Sequence, residues 1–190
     1  MLCSYDHGIE AMESMVTKTL HYVFDPLCGW CYGAAAAVAA LRKAPDVELR
    51  LLPSGLFAGE GARLMDDGFA AYAWGNDQRI ELLTGQRFSE RYRSHVLSDR
   101  QQLFDSGPAT LALSAVSLCT PERELDALEA IQHARYVNGE DITQPDTLMA
   151  VLQALGLEQA AASLLRSDGE LLAANRARIE GAKALQSQLG

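Results

Sequence analysis

The strongest constraint on the fold is a pair of short strands separated by an alanine-rich run. Leu20-His21-Tyr22-Val23-Phe24 is β-branched and aromatic and stops at Asp25-Pro26, a pair that takes the chain out of further ladder pairing. Val47-Glu48-Leu49-Arg50-Leu51-Leu52 alternates apolar and polar and stops at Pro53. Between them, Cys31 to Lys43 is dominated by alanine and closed by Pro45, which predicts a helix. Strand, helix and strand in so short a stretch predict a right-handed βαβ unit with parallel pairing.

The rest of the chain reads differently. Ser54 to Gly61 is a glycine-rich loop, and from Ala62 to about Arg166 the pattern is almost entirely helical. Helix starts are expected at Ser106-Gly107-Pro108, Pro121, Pro145 and Glu158, with a last helix over about Gly169 to Gln188. The 29 alanines and 28 leucines among 190 residues favour helix over sheet. The expected organisation is an N-terminal extension over 1–17, a βαβ half over 18–61, a helical insertion over 62–166 and a returning helix over 167–190.

Charge excludes some function classes. Lys and Arg number 16 against 25 Asp and Glu, a net charge of −9. A chain this acidic repels phosphate, which argues against nucleic acid or an anionic membrane as partner. No apolar run reaches the 18 or so residues of a spanning helix. The first residues carry Asp6, Glu10 and Glu13 without a basic cluster or an apolar core, so they do not read as an export signal, and Met15 is an alternative start. A cytoplasmic location with reduced cysteines is the expectation.

The chemistry is expected at Cys28-Gly29-Trp30-Cys31, where the first strand gives way to a helix. Two thiols one helical turn apart can close a disulfide, and the orphan N–H groups of a helix start lower the pKa of the first. Cys28 is thus the expected nucleophile of thiol–disulfide exchange and Cys31 the resolving thiol. Gly29 and Trp30 carry no charge, so the helix end is the expected source of the depression. A structural zinc site needs four ligands, whereas Cys3, Cys119, His7, His21, His95 and His133 are scattered singly; no metal is expected.

Other residues have weaker signals. The loop at Gly55 and Leu56 leaves the carboxyl end of the second strand, the same edge as Cys28, where ligands collect on parallel sheets. Gly55, Leu56 and Trp30 are therefore the candidate substrate-binding residues. Phe69, Tyr72 and Trp74 are expected in the core, with an apolar groove as the alternative. Cys119 reads as a buried small hydrophobe, and Arg87, Glu90, Arg91 and Arg93 as a solvated face. Asp25 reads as a turn former, with a proton relay as the alternative.

Phe24-Asp25-Pro26-Leu27-Cys28-Gly29-Trp30-Cys31-Tyr32-Gly33 resembles the active-site segment of DsbA-family thioredoxin-fold proteins, in particular the FrnE-like subgroup. Pro53-Ser54-Gly55-Leu56, Asp105-Ser106-Gly107-Pro108-Ala109 and Tyr136-Val137-Asn138-Gly139-Glu140-Asp141-Ile142 resemble the same subgroup in the same order. The resemblance implies an α/β fold, a thioredoxin-like βαβ with a large all-helical insertion. It also implies disulfide oxidoreductase or isomerase activity on a disulfide-containing protein or a small thiol. The redox group would be the dithiol itself, with no other cofactor than glutathione as a candidate thiol. Kappa-class glutathione transferases and 2-hydroxychromene-2-carboxylate isomerases share the fold but typically have Ser where Cys28 stands. A glutathione-dependent isomerase or transferase, and a non-catalytic interaction module, are the alternatives. The family places a cis-proline loop and two further strands opposite the dithiol. The last proline here is Pro145, so a sheet without those C-terminal strands is expected, with a homodimer as one way to complete the edge.

Overall fold

The computed structural model describes residues 18–189; the expected extension over 1–17, with Cys3, His7 and Met15, lies outside them. Strands β1 (Lys18–Phe24) and β2 (Val47–Pro53) pair in parallel, in register from Lys18 opposite Val47 to Phe24 opposite Pro53. Pro53 has no N–H to donate, and the ladder ends there; the last bond is Ser54 N–H to Phe24 O at 2.7 Å. β1 starts two residues before the apolar run, because ladder pairing extends beyond the part of the strand that is buried.

The crossover is two helices, α1 (Gly29–Gly33) and α2 (Ala35–Arg42), with a break at Ala34. The helix begins at Gly29, earlier than the alanine run implied, and Cys28 is its N-cap in extended conformation. Gly29 and Gly33, one helical turn apart, lie against α3 (Asp67–Thr84). A Cβ on Gly33 would stand 2.5 Å from Ile80 Cγ2, and one on Gly29 3.1 Å from Ile80 Cδ1. Two missing side chains let the helices approach backbone to side chain.

α3 starts at the N-cap Asp66, whose carboxylate accepts the Phe69 N–H at 2.7 Å. It ends at Gly85 in left-handed conformation (φ 75°). A π-helical turn comes next at Tyr92–Leu97, then β4 (Leu103–Phe104), which pairs antiparallel with β3 (Arg63–Leu64). The region expected to be all helix thus contains a two-residue ladder, too short for any alternation to be legible.

The helical block is built around α4 (Gly107–Cys119), in which Ala109, Ala112, Leu113, Ala115 and Val116 have no exposed surface. A helix apolar all round has to be enclosed. Helices α5 (Glu124–Tyr136), α6 (Pro145–Ala154), α7 (Glu158–Arg166) and α8 (Gly169–Leu189) do this. Helix α8 also returns to β2. There Arg178 donates to Leu51 O at 3.2 Å and to Ser114 Oγ at 3.0 Å, and it pairs with buried Glu124.

Candidate active site

The strand β1 delivers Asp25 to the bottom of the site, where it is 1% exposed. Its carboxylate accepts three hydrogen bonds, from Leu27 N–H at 2.9 Å, Phe57 N–H at 3.2 Å and Ser106 Oγ at 2.7 Å. Asp25 is a turn former, as an Asp at a strand exit suggests, but it also joins the dithiol segment to the β2 loop and to the start of α4. Burial raises its pKa against the pull of those donors. The turn closes with Cys28 N–H on Asp25 O at 3.0 Å. The Tyr136 hydroxyl then fixes the segment from the far side by donating to Leu27 O at 2.8 Å.

On this frame Cys28 and Cys31 are both free thiols, partly exposed. Cys28 is depressed from the ordinary thiol value of 9.0 to about 7. The largest cause is the Cys31 thiol donating to Cys28 Sγ. Burial opposes it, and the backbone N–H groups of Cys31 and Trp30 add smaller contributions. Cys31, which holds the shared proton and is buried beside a thiolate, is pushed far up. The helix start is thus not the main source of the depression. With five residues before the break at Ala34, α1 has a small dipole, and its backbone N–H groups contribute less than the thiol one turn on.

Cys28 opens onto a cleft of about 250 Å³. Trp30, 48% exposed, forms one lip, with the Arg79 guanidinium 5.9 Å above its ring. Phe57, Phe69, Tyr72 and Phe104 form the opposite wall, and the Phe104 ring stacks edge-on against both Phe57 (4.8 Å) and Phe69 (4.9 Å). The back is an aromatic box in which Tyr136 contacts Tyr32 at 4.8 Å, Phe88 at 5.0 Å and Tyr92 at 5.0 Å between centroids.

The structure thus brings Cys28 and Trp30 together on the cleft. Cys31 lies one turn behind. Gly55 and Leu56 are not among the lining residues. Gly55 (φ 61°) packs toward Ile179 of α8, with an added Cβ 3.2 Å from Ile179 Cγ2, and Leu56 is 59% exposed. The β2 loop contributes Phe57 instead. Phe69 and Tyr72, expected in the core, are cleft walls, and Tyr72 is 68% exposed. Trp74 lies elsewhere, under the Arg93 guanidinium at 5.1 Å. Cys119 is half-buried rather than sealed.

Several cleft residues were not anticipated, Ile80, Tyr92 and Phe104 among them, and one is acidic. Asp77 of α3 is 4% exposed, accepts the Tyr92 hydroxyl at 3.1 Å and lies 2.6 Å from where a Cβ on Gly29 would stand. In sequence it sits among Asn76, Gln78 and Arg79 and reads as part of a solvated helix face. The one available signal was indirect: glycines at 29 and 33 mark a face where another element approaches closely.

Comparison with known proteins accords with this geometry. Residues 19–187 match the family model described as the DSBA-like thioredoxin domain. No curated protein sequence matches the chain. Among solved structures, the cytosolic disulfide reductase DsbM from Pseudomonas aeruginosa is 34% identical with a TM-score of 0.80, over 91% of this chain and 80% of that one. A second structure of it, with GSH, superposes equally well, over 91% of this chain and 81% of that one. A protein from Nitrosomonas europaea, 23% identical over 90% of this chain and 80% of its own, shares the fold at a TM-score of 0.78. The two-stranded parallel start, the interposed helices and the dithiol at the strand exit are the thioredoxin-like fold with a helical insertion, and the chain belongs to the DSBA-like thioredoxin domain family of disulfide oxidoreductases.

Proposed function

We propose that the chain is a cytoplasmic disulfide reductase in which Cys28 attacks and Cys31 resolves, with glutathione as the thiol that returns it to the reduced state. The observation that carries this reading is the asymmetry of the dithiol: Cys28 near 7 and partly exposed, Cys31 far higher and one turn deeper. At neutral pH about half of Cys28 is thiolate. The Cys28 thiolate attacks one sulfur of a substrate disulfide and forms a mixed disulfide, releasing the first substrate sulfur as a thiol. Cys31 then attacks Cys28 Sγ, the second substrate sulfur leaves with the proton, and two electrons have passed from the dithiol to the substrate. Two molecules of a small thiol reverse the process on the enzyme and leave as their own disulfide.

The size of the depression supports the reducing direction. Stabilising the thiolate stabilises the reduced enzyme, and strong oxidants carry a nucleophile near about 3.5, whereas reductases of thioredoxin type lie near about 7. Cys28 falls with the second group. The 34% identical relative is named a cytosolic disulfide reductase and one of its structures holds GSH, which supports both the location and the small thiol. The order of the four motifs supports a FrnE-like place within the family.

The test is equilibration in glutathione redox buffers, read by Trp30 fluorescence, together with insulin reduction. A potential below about −200 mV is expected; one near about −120 mV would reverse the assigned direction. Cys28→Ser should abolish insulin reduction, and unchanged turnover would reject Cys28 as the nucleophile.

A further inference from the structure

Among the side chains that line the cleft, Cys28 and Asp77 are the only ones that change charge near neutral pH. Asp77 is buried, and no basic side chain forms an ion pair with it among the described residues. One carboxylate oxygen, Oδ2, is held by the Tyr92 hydroxyl, and the other, Oδ1, faces Gly29, the residue after Cys28, in the cleft that both Asp77 and Cys28 line. A buried carboxyl with so little compensation is costly to keep charged. Nothing in the packing of α3 requires it, since an amide could accept the same Tyr92 bond. The second position of the Cys-Gly-Trp-Cys motif is also explained by it: any side chain larger than glycine would strike Oδ1.

We propose that Asp77 is the proton donor of the cleft. When Cys28 attacks a substrate disulfide, the Asp77 carboxyl gives its proton to the departing substrate sulfur and recovers one from water afterwards. The inference rests on Cys28 being the attacking sulfur. The step balances. The Cys28–sulfur bond forms as the substrate S–S bond breaks, the electron pair of that bond goes to the leaving sulfur, and the carboxyl proton converts it to a thiol.

The surroundings suit the role. Burial lifts Asp77 to about 7, and the Cys28 thiolate at the N-cap of α1 adds to the lift. The Tyr92 hydroxyl on the π turn and the Arg135 guanidinium on α5 pull it down, while the Tyr136 phenol on α5 is a neutral neighbour. An acid near the working pH, facing a thiolate of higher pKa, transfers its proton downhill. Donation matters most when the leaving sulfur is basic, because a poor leaving group carries more charge at bond breaking.

The test compares kcat/KM for a dialkyl disulfide, which has a basic leaving thiol, with kcat/KM for a nitroaromatic disulfide, which has an acidic one. Both reactions use the same Cys28 thiolate, so the ratio cancels its titration. Asp77→Asn keeps the acceptor for Tyr92 but has no proton to give. The alkyl-to-aromatic ratio should fall by about tenfold or more, within the 10²–10⁴-fold range of general acid catalysis. A ratio within about twofold of the wild type overturns the proposal, whatever the absolute rates do. The wild-type protein gives an independent reading that needs no variant: its ratio should fall as pH rises through about 7, and a flat ratio between about pH 5.5 and 8.5 overturns the proposal equally. If Cys28→Ser still reduces the aromatic disulfide, the assignment of the nucleophile has failed, an outcome distinct from failure of the Asp77 role.

Discussion

Cys31 is assigned the main share of Cys28 activation, and Cys31→Ala isolates that share. The depression from 9.0 to about 7 amounts to about 2.7 kcal/mol at 1.36 kcal/mol per unit. The variant removes the largest favourable contribution, the thiol donor. The backbone N–H groups of Cys31 and Trp30 remain, as does the burial that opposes them. Cys28 should therefore move up to at least about 8, and its thiolate fraction at pH 7 should drop about fivefold. The assay is the absorbance of the thiolate against pH, with iodoacetamide alkylation over the same range, in a background where Cys3 and Cys119 are Ala. The midpoint is the quantity to read rather than the rate, because a thiolate of higher pKa is also more nucleophilic, with a Brønsted slope of about 0.4–0.5. A midpoint that stays within about 0.3 of the parent would show that the peptide N–H groups at the helix start carry the activation and that the Cys31 thiol is a minor donor.

Two further outcomes test the packing behind the dithiol. Gly29→Ala places a Cβ 2.6 Å from Asp77 Oδ1 and 3.1 Å from Ile80 Cδ1; chemical denaturation should show a loss of about 1–3 kcal/mol, and Asp77→Ser in the same chain should recover part of it. A neutral Gly29→Ala would refute the close approach of α1 and α3. Asp77 also links stability to pH. Its carboxyl is raised from 3.8 to about 7 in the folded chain, so the native state holds a proton that the unfolded chain has already lost between those values. Its contribution is full below about pH 4 and disappears as pH rises through 7. Asp77→Asn should thus gain stability over the parent at pH 8 relative to pH 5, by about 2.6 kcal/mol; a difference that does not vary with pH would contradict the raised carboxyl.

The elements that carry the dithiol were legible for local reasons. Phe24-Asp25-Pro26 ends a strand, Pro53 ends another, and a turn of helix after Cys28 sets the two sulfurs side by side, whatever else the chain does. Most helix boundaries in the second half were equally plain, since Pro108, Pro121 and Pro145 mark first turns. The two-residue ladder at Arg63–Leu64 and Leu103–Phe104 was not, because a period cannot be read from two residues. Gly55 and Leu56 leave the carboxyl end of β2 as expected, yet after a left-handed turn at Gly55 it is Phe57 that lines the cleft with Cys28.

Amino-acid order alone determined the βαβ start, the paired sulfurs and the helical character of the remaining chain, because each depends on residues within a few positions of one another. Tertiary structure alone decided what surrounds the reactive sulfur. Asp77, Tyr92 and Tyr136 are distant in the chain and reach the cleft only because Gly29 and Gly33 admit α3 and because the α5 end closes over Leu27. Solvation and charge at Cys28 are sums over such neighbours in space, and a linear pattern contains no record of them until the helices have packed.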